Sequence, residues 1–409
     1  MSPPPQGAGE ADASTVLEEI ASSARASRQL ALDTEFMGEG RYRTLLCLIQ
    51  IAVADTGGEQ RIELVDPLAQ AAPPSSPGNP TTPHWGEPLA HTLEDPEIEI
   101  VMHAGRQDAA LLRRTLGCDL NNVFDTQVAA GFLGMPAQCS YETLLAETLG
   151  VRLAKSASFT RWDARPLSTE QLSYAREDVI HLLELAAEIQ RRLERAGRLE
   201  WAREECQYLE RVSDERDLDA IFERLPRVRG LSGPSQGVAR ELVEWRERTA
   251  ADRDRPVQSV LGDSALVEIA KRKPSSTRKL EDIRGVGQGS MRRRGEEILG
   301  AVERGIERTD SPLEGGTRPA PPQPEDAPLI ALCEALVRTR ARETNLAYEL
   351  LASRADLQAI VVGERTGTRA DVRTLRGWRG ELVGHELLAL LDGRVSLSVE
   401  NRLVRVTPA

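Results

Sequence analysis

From residue 29 to about residue 130 the chain alternates short apolar runs with stretches of helical spacing, and beyond about residue 200 the helical spacing stands alone. That switch restricts the first half to layers of helix on sheet, and the second half to helix on helix. Gln29-Leu-Ala-Leu-Asp33 reads as a buried strand, Leu45–Ala54 as a second and Arg61–Val65 as a third. Ile98–His103 is a further strand that feeds a helix from Gln107 to about Leu116. A strand-to-helix step follows at Val123–Ala130, and Tyr141–Leu149 has helical spacing. Residues 168–196 predict one long helix, opened by Ser168 as N-cap with Gln171 in capping-box position.

These elements and the breaks between them set the expected organisation. Residues 1–14 are rich in Pro, Gly and Ala and are expected to be disordered, and 15–200 form an α/β domain. Residues 201–234 are a helical linker, 235–308 a compact helical unit, 309–325 a Pro/Gly-rich linker and 326–409 a final helical unit. The stretch 70–83, QAAPPSSPGNPTTP, can join neither a helix nor an inner strand and must loop out.

Bulk properties narrow the class without choosing a function. No run approaches the ~18 apolar residues that a membrane helix needs. The N-terminus shows neither the basic nor the apolar region of a secretory leader, so a cytoplasmic protein with no membrane partner is expected. The five cysteines are scattered and form no C-x-x-C pair, which argues against a disulfide framework or a zinc site. A net charge of −12 argues against nonspecific coating of nucleic acid, but not against an enzyme whose charge is segregated.

The chemistry-bearing fragments are individually ordinary. Asp33 and Glu35 stand two apart at the end of a strand, so both side chains fall on one face. Alone, such a pair is a solvated strand end. Asp108 falls in the first turn of a helix, where the dipole favours an acid by ~0.3–1 kcal/mol whatever its function. His103, just before it, is by itself a packing residue. Tyr174 and Asp178 are four apart on the 168–196 helix and share a face, a common surface pairing.

In this order and spacing, the fragments resemble the exonuclease signature of the DEDD superfamily, in its tyrosine-bearing subclass. Phe124-Asp125-Thr126-Gln127 is similar to that family's short D-T-Q segment. Trp162, Arg165-Pro166-Leu167 and Gln171-Leu172 followed by Tyr174-Ala175 are similar to the approach to its third motif. The specific resemblance is to the bacterial ribonuclease D family. It implies a ribonuclease H-like α/β exonuclease domain, a mixed sheet flanked by helices, followed by two all-α helical domains of the HRDC type. It also implies that Asp33, Glu35, Asp108 and Asp178 bind two divalent cations, Mg²⁺ or Mn²⁺. Tyr174 then orients the attacking water, and His103, Asp125 and Gln127 lie beside the substrate. Such a centre suits the chemistry, because hard cations prefer carboxylate oxygen and two of them can serve both the attacking and the leaving oxygen.

The helical unit at 235–308 reverses the charge of the chain: 16 basic residues against 13 acidic ones give +3. Lys271, Arg272, Lys273, Arg292 and Arg293 surround an Ile283-Arg-Gly285-Val286-Gly287 turn that opens a helix, a natural phosphate site. The unit is similar to the HRDC domain, and the last unit is similar, less closely, to the second C-terminal domain of the same family. The expected reaction is removal of nucleotides from single-stranded RNA 3′ ends as 5′-monophosphates, with tRNA precursors as substrates. Two alternatives stand beside it: a DNA-directed exonuclease on the same domain, and a binding scaffold with an inert nuclease domain. Retention of all four acids and Tyr174 disfavours the scaffold.

Overall fold

The computed structural model describes residues 13–54, 57–70, 84–153, 161–286, 288–308 and 320–409, with the side chains of 288–293 left aside. The expected loop at 70–83, all of it after Gln70, and most of the stretches 1–14 and 309–325 lie outside these residues.

The first half contains α1 (Ala13–Ser27), β1 (Gln29–Met37), β2 (Leu45–Ala54), β3 (Gln60–Val65), α2 (Glu87–Glu94), β4 (Glu99–Met102) and α3 (Arg106–Leu116). It continues through β5 (Val123–Asp125), α4 (Thr126–Gly131), α5 (Tyr141–Thr148), α6 (Thr169–Ile180), α7 (Leu182–Arg195) and α8 (Leu199–Cys206). The five strands form one mixed sheet in the order β3-β2-β1-β4-β5. β1 runs parallel to β4 and β4 to β5, whereas β2 and β3 are antiparallel. β2 is buried at eight consecutive positions, as expected of a strand covered on both faces.

The expected long helix is two helices. α6 begins with the foreseen capping box, Gln171 N donating to Ser168 Oγ at 3.2 Å and Ser168 N to Gln171 Oε1 at 3.0 Å. It stops at His181, whose ψ of 3° is not helical, directly after the β-branched pair Val179-Ile180. The break separates two duties. α7 buries Leu182, Leu185, Ala186, Ile189 and Leu193 in the core, while α6 presents Tyr174 and Asp178 on another face.

Beyond α8 come α9 (Leu218–Arg224), α10 (Gly233–Asp252), α11 (Val257–Val260), α12 (Asp263–Arg272), α13 (Thr277–Glu281) and α14 (Gln288–Glu307). α10 and α14 cross at Gly237 and Gly305, where an added Cβ on either glycine would meet the backbone of the other helix. The last stretch holds α15 (Asp326–Thr344), α16 (Tyr348–Leu351), α17 (Arg354–Thr366), α18 (Gly377–Arg379) and α19 (His385–Leu391), then β6 (Val395–Glu400) and β7 (Leu403–Pro408).

Two compact units emerge, and their boundaries differ from the domains expected of the sequence. One comprises Met1–Glu35, Leu46–Ser213 and Arg318–Ala409; the other comprises Phe36–Leu45 and Asp214–Thr317. The last helical stretch therefore shares a core with the sheet domain: Phe132, Leu145, Leu193 and Ala202 are in one apolar cluster with Val337, Leu351, Ile360 and Trp378. This stretch is also not wholly helical. Its final residues alternate apolar and polar and pair as a β6–β7 hairpin, whose two-residue turn, Asn401-Arg402, has φ of 51° and 65°.

Candidate active site

The site is assembled inside the first unit from three elements. β1 supplies Asp33 and Glu35, both half-buried, on either side of Thr34, which is buried. α3 supplies Asp108 from its first turn, 7% exposed. α6 supplies Tyr174 and Asp178, both half-buried. The parallel pairing of β1 with β4 matters here, because β4 leads directly into α3 and so carries Asp108 to the side of β1.

Internal bonds fix each support. Asp125, 1% exposed, accepts backbone N–H groups from Ala104 (3.1 Å), Gly105 (2.8 Å), Gln127 (2.8 Å) and Val128 (3.1 Å). One carboxylate thus caps α4 and holds the turn before α3, in which Ala104 has the left-handed φ of 55°. The approach to α6 is clamped by Arg165. Its guanidinium grips Asp66 twice, at 2.5 and 2.6 Å, and also donates to the carbonyls of Cys47 (2.8 Å), Trp162 (2.7 Å) and Ala164 (2.8 Å). Arg165 was only one letter of a motif in the sequence, and its fastening role needs the contact to Asp66, 99 residues away.

Electrostatics draws the four acids into one group. Burial, then the fields of Asp108, Asp178 and Glu35, push the Asp33 carboxyl well above the usual range. Glu35 is raised to about 8 by burial and by Asp178 and Asp108. Asp178 is raised to about 7, by burial and then Glu177. Asp108 is raised less, to about 6: burial lifts it, while the hydrogen bond donated by the Thr34 hydroxyl to its Oδ1 pulls it back. Mutually repelling carboxylates set in a low-dielectric pocket are a latent cation site.

The donor set fits hard divalent cations: all its atoms are carboxylate oxygens, and Asp178 Oδ2 is buried without a hydrogen-bond partner among the described residues. As they stand, however, among the described residues no group of three or more His, Cys, Asp or Glu is set to hold an ion. Asp108 is occupied by Thr34. Tyr174 lies 6.1 Å from the Trp162 ring, and burial with the fields of Asp178, Glu35 and Asp33 pushes its phenol far above the usual value. It keeps its proton at neutral pH. A second phenol, Tyr141, feels Asp178 and Asp33 in the same direction. In the sequence it was only the start of a helix.

The three residues expected beside the substrate are engaged within the fold. His103 Nδ1 lies 2.9 Å from Thr126 Oγ1, with its ring 5.4 Å from that of Tyr141, and burial lowers its pKa, so the imidazole is neutral. Gln127 Nε2 donates to the Cys139 carbonyl at 3.0 Å. The Asp125 carboxylate accepts four backbone N–H groups, which makes it a positioning residue. A D-T-Q-V run opening a helix carries an N-cap signal that could have indicated this.

In the second unit, Lys271 is exposed at the end of α12, but Arg272 pairs with Glu268 at 2.5 Å. Lys273, with a left-handed φ of 47°, donates from Nζ to Ser235 Oγ at 2.7 Å. The side chains of Arg292 and Arg293 lie outside the described residues.

Comparison with known proteins agrees with this geometry. Residues 10–194 match the family model described as 3′-5′ exonuclease, and residues 235–302 match the HRDC domain. The chain is 35% identical to ribonuclease D of Gluconacetobacter diazotrophicus, over 93% of this chain and 92% of that one. It is 33% identical to ribonuclease D of Granulibacter bethesdensis, over 95% and 94%. The crystal structure of Escherichia coli RNase D, described as an exoribonuclease involved in structured RNA processing, superposes with a TM-score of 0.74 at 27% identity. That likeness covers 92% of this chain and 96% of the other.

Proposed function

As the chain belongs to the ribonuclease D family and is a 3′→5′ exoribonuclease, we propose that it works with two divalent cations, Mg²⁺ or Mn²⁺, held by Asp33, Glu35, Asp108 and Asp178. The observation that carries this reading is the setting of four carboxylates on β1, α3 and α6, where burial raises all four and the fields of Asp108 and Asp178 raise Asp33 and Glu35 further, a repulsion that two cations would relieve. When bound, the cations would supply positive charge to the attacking water and to the leaving 3′ oxygen.

The protein's own groups do the rest. Asp33 and Glu35 stand on β1, Asp108 on α3 and Asp178 on α6, so the four acids come from separate elements. The Tyr174 phenol keeps its proton and positions the water; it does not accept the water's proton. Thr34 donates to Asp108 Oδ1 and so orients its carboxylate.

RNA is the substrate class, and tRNA precursors are the substrates we propose within it. The described helices include none long and apolar enough to cross a membrane. All five cysteines are buried and unbridged, which suits the reducing cytoplasm in which we place the enzyme.

The direct test is degradation of 5′-labelled RNA and of the matching DNA with Mg²⁺, with Mn²⁺ or with EDTA. We expect stepwise shortening of RNA from free 3′ ends, an intact circular RNA, no activity in EDTA, and loss of at least 10³-fold in rate for Asp178→Asn. Equal rates on DNA would overturn the RNA preference, and full activity in EDTA would overturn the two-cation reading.

A further inference from the structure

The second unit contains a segment that the sequence places elsewhere. Residues Phe36–Leu45 follow the acids of β1 in the chain, yet they belong by their contacts to the helical unit. Tyr42 packs against that unit's apolar core, and its hydroxyl donates to Glu247 Oε2 at 3.1 Å. Asp254 accepts from the Tyr42 backbone N–H at 3.1 Å and from Arg41 Nη1 at 2.6 Å, while its own backbone holds the strained φ of 44°. Arg216 closes the group: it pairs with Glu247 at 2.5 Å and lies 5.5 Å from the centre of the Tyr42 ring. Two short segments, 41–43 and 253–255, are thereby pinned side by side.

Charge at this corner divides into two sets. Arg41 neutralises Asp254, and Arg216 neutralises Glu247. Arg43, Arg248, Arg253 and Arg255 are exposed and have no carboxylate partner among the described residues. Besides Asp254, which Arg41 holds, the exposed acids of 36–45 and 252–255 are Glu39 and Asp252, so the corner keeps a surplus of positive charge. Every cation in both segments is arginine, the side chain whose planar fork matches a phosphate bidentately.

We propose that this corner is a phosphate-binding surface for the single-stranded part of the RNA substrate, with Arg43, Arg253 and Arg255 as its contacts. The inference rests on the exoribonuclease reading and adds to it a place where the strand is held. It moves the contact from Lys271–Lys273, where two of three side chains are tied up, to a corner whose arginines pair with no carboxylate among the described residues, Arg43 lying 5.8 Å from the centre of the Tyr42 ring, and stand on an anchored backbone.

The test measures binding of a fluorescent single-stranded RNA to the full chain across a salt series, with EDTA present so that the strand is not consumed. The triple variant Arg43→Gln, Arg253→Gln, Arg255→Gln is set against a control of equal charge change, Arg394→Gln, Arg402→Gln, Arg405→Gln on the terminal hairpin. Each lost single-strand phosphate contact flattens the log K versus log salt slope by about 0.7. We expect about 2 for the corner variant, a Kd raised roughly 10- to 100-fold at about 0.1 M salt, and little change for the control. A corner variant carrying Lys at all three positions should regain most of the slope.

Equal slopes in the corner variant and the wild type, or equal flattening in both triple variants, would overturn the proposal. A Gln variant that lost its helical circular dichroism would be replaced by Glu charge reversals at the same sites, whose unchanged Kd would overturn it as well. Failure of the nuclease reading is seen separately, as a wild-type chain that binds RNA but does not shorten it with Mg²⁺.

Discussion

Two helical stretches of similar length, 235–308 and 326–409, each contain one buried tryptophan, and those tryptophans are buried for different reasons. Trp245 is 3% exposed inside a core that its own unit supplies, in one apolar cluster with Phe222, Leu242, Leu266, Ile269 and Ile298, and its indole N–H donates to Glu297 at 2.9 Å. Trp378 is 6% exposed, lies flat on Trp201 at 5.1 Å and 10°, and meets Phe132 at 5.3 Å. Both partners come from the nuclease half of the chain. Polar bonds follow the same division. Arg198 reaches the carbonyls of Phe132 (2.8 Å), Thr344 (2.5 Å) and Asn345 (3.2 Å), and Arg373 pairs with Glu205 at 3.0 Å. One stretch thus packs in the core of the helical unit, which Phe222 and Tyr42 help to build, and the other shares the core of the nuclease. Helical class and size do not reveal which; the owner of the apolar partners does.

The largest effect that this contrast predicts comes from ending the chain at Thr317. Such a protein keeps the 235–308 module but strips the nuclease core of Val337, Leu351, Ile360 and Trp378. We expect the helical module to retain a cooperative thermal transition and the nuclease transition to vanish. A nuclease half that melts as in the full chain would break the comparison.

Single substitutions sharpen it. Trp378→Ala should cost about 3–5 kcal/mol, the range for truncating a buried aromatic, and should lower the nuclease transition. Trp245→Ala should cost a similar amount in the other transition and leave the nuclease one in place. Calorimetry of both variants reads this directly, and a shift of the same transition by both would contradict two separate cores.

Part of this was legible in the sequence because it is local. Strands β1 to β5, the Ser168–Gln171 box and the positions of the acids follow from periodicity, caps and motif spacing within a few residues. What was not legible depends on contacts far along the chain. The absorption of 326–409 into the nuclease core needs Trp201 to meet Trp378, and the assignment of 36–45 to the helical unit needs Tyr42 to meet Glu247. The hairpin at the end of the chain was local and still escaped, because the apolar content of Leu397, Val399, Val404 and Val406 reads equally well as helix when the Asn401-Arg402 turn goes unrecognised. Asp125 shows a different gap: the motif resemblance suggested a place beside the substrate, and its N-cap bonds to Gln127 and Val128 went unread.

A smaller effect separates the two units by pH. Asp108, Asp178 and Glu35 titrate at about 6, 7 and 8 in the fold, above the ordinary carboxyl range that they would show unfolded. The folded state therefore holds more protons across that interval, and stability must fall as pH rises. In EDTA, the melting temperature of the nuclease transition should decline from about pH 5 to pH 8, with that of the helical module nearly constant. Added Mg²⁺ should remove the decline. A nuclease transition that rises over the same range in EDTA would contradict the buried acid cluster.

The central claim is that Asp33, Glu35, Asp108 and Asp178 together hold two cations in the nuclease unit. Counting Mn²⁺ bound per chain, by electron paramagnetic resonance of the free ion or by calorimetric titration, tests it without reference to turnover. The account predicts two ions for the wild type and fewer than two for Asp178→Asn. A wild-type chain that binds no ion at millimolar Mn²⁺, or an Asp178→Asn chain that still binds two with unchanged affinity, would contradict it.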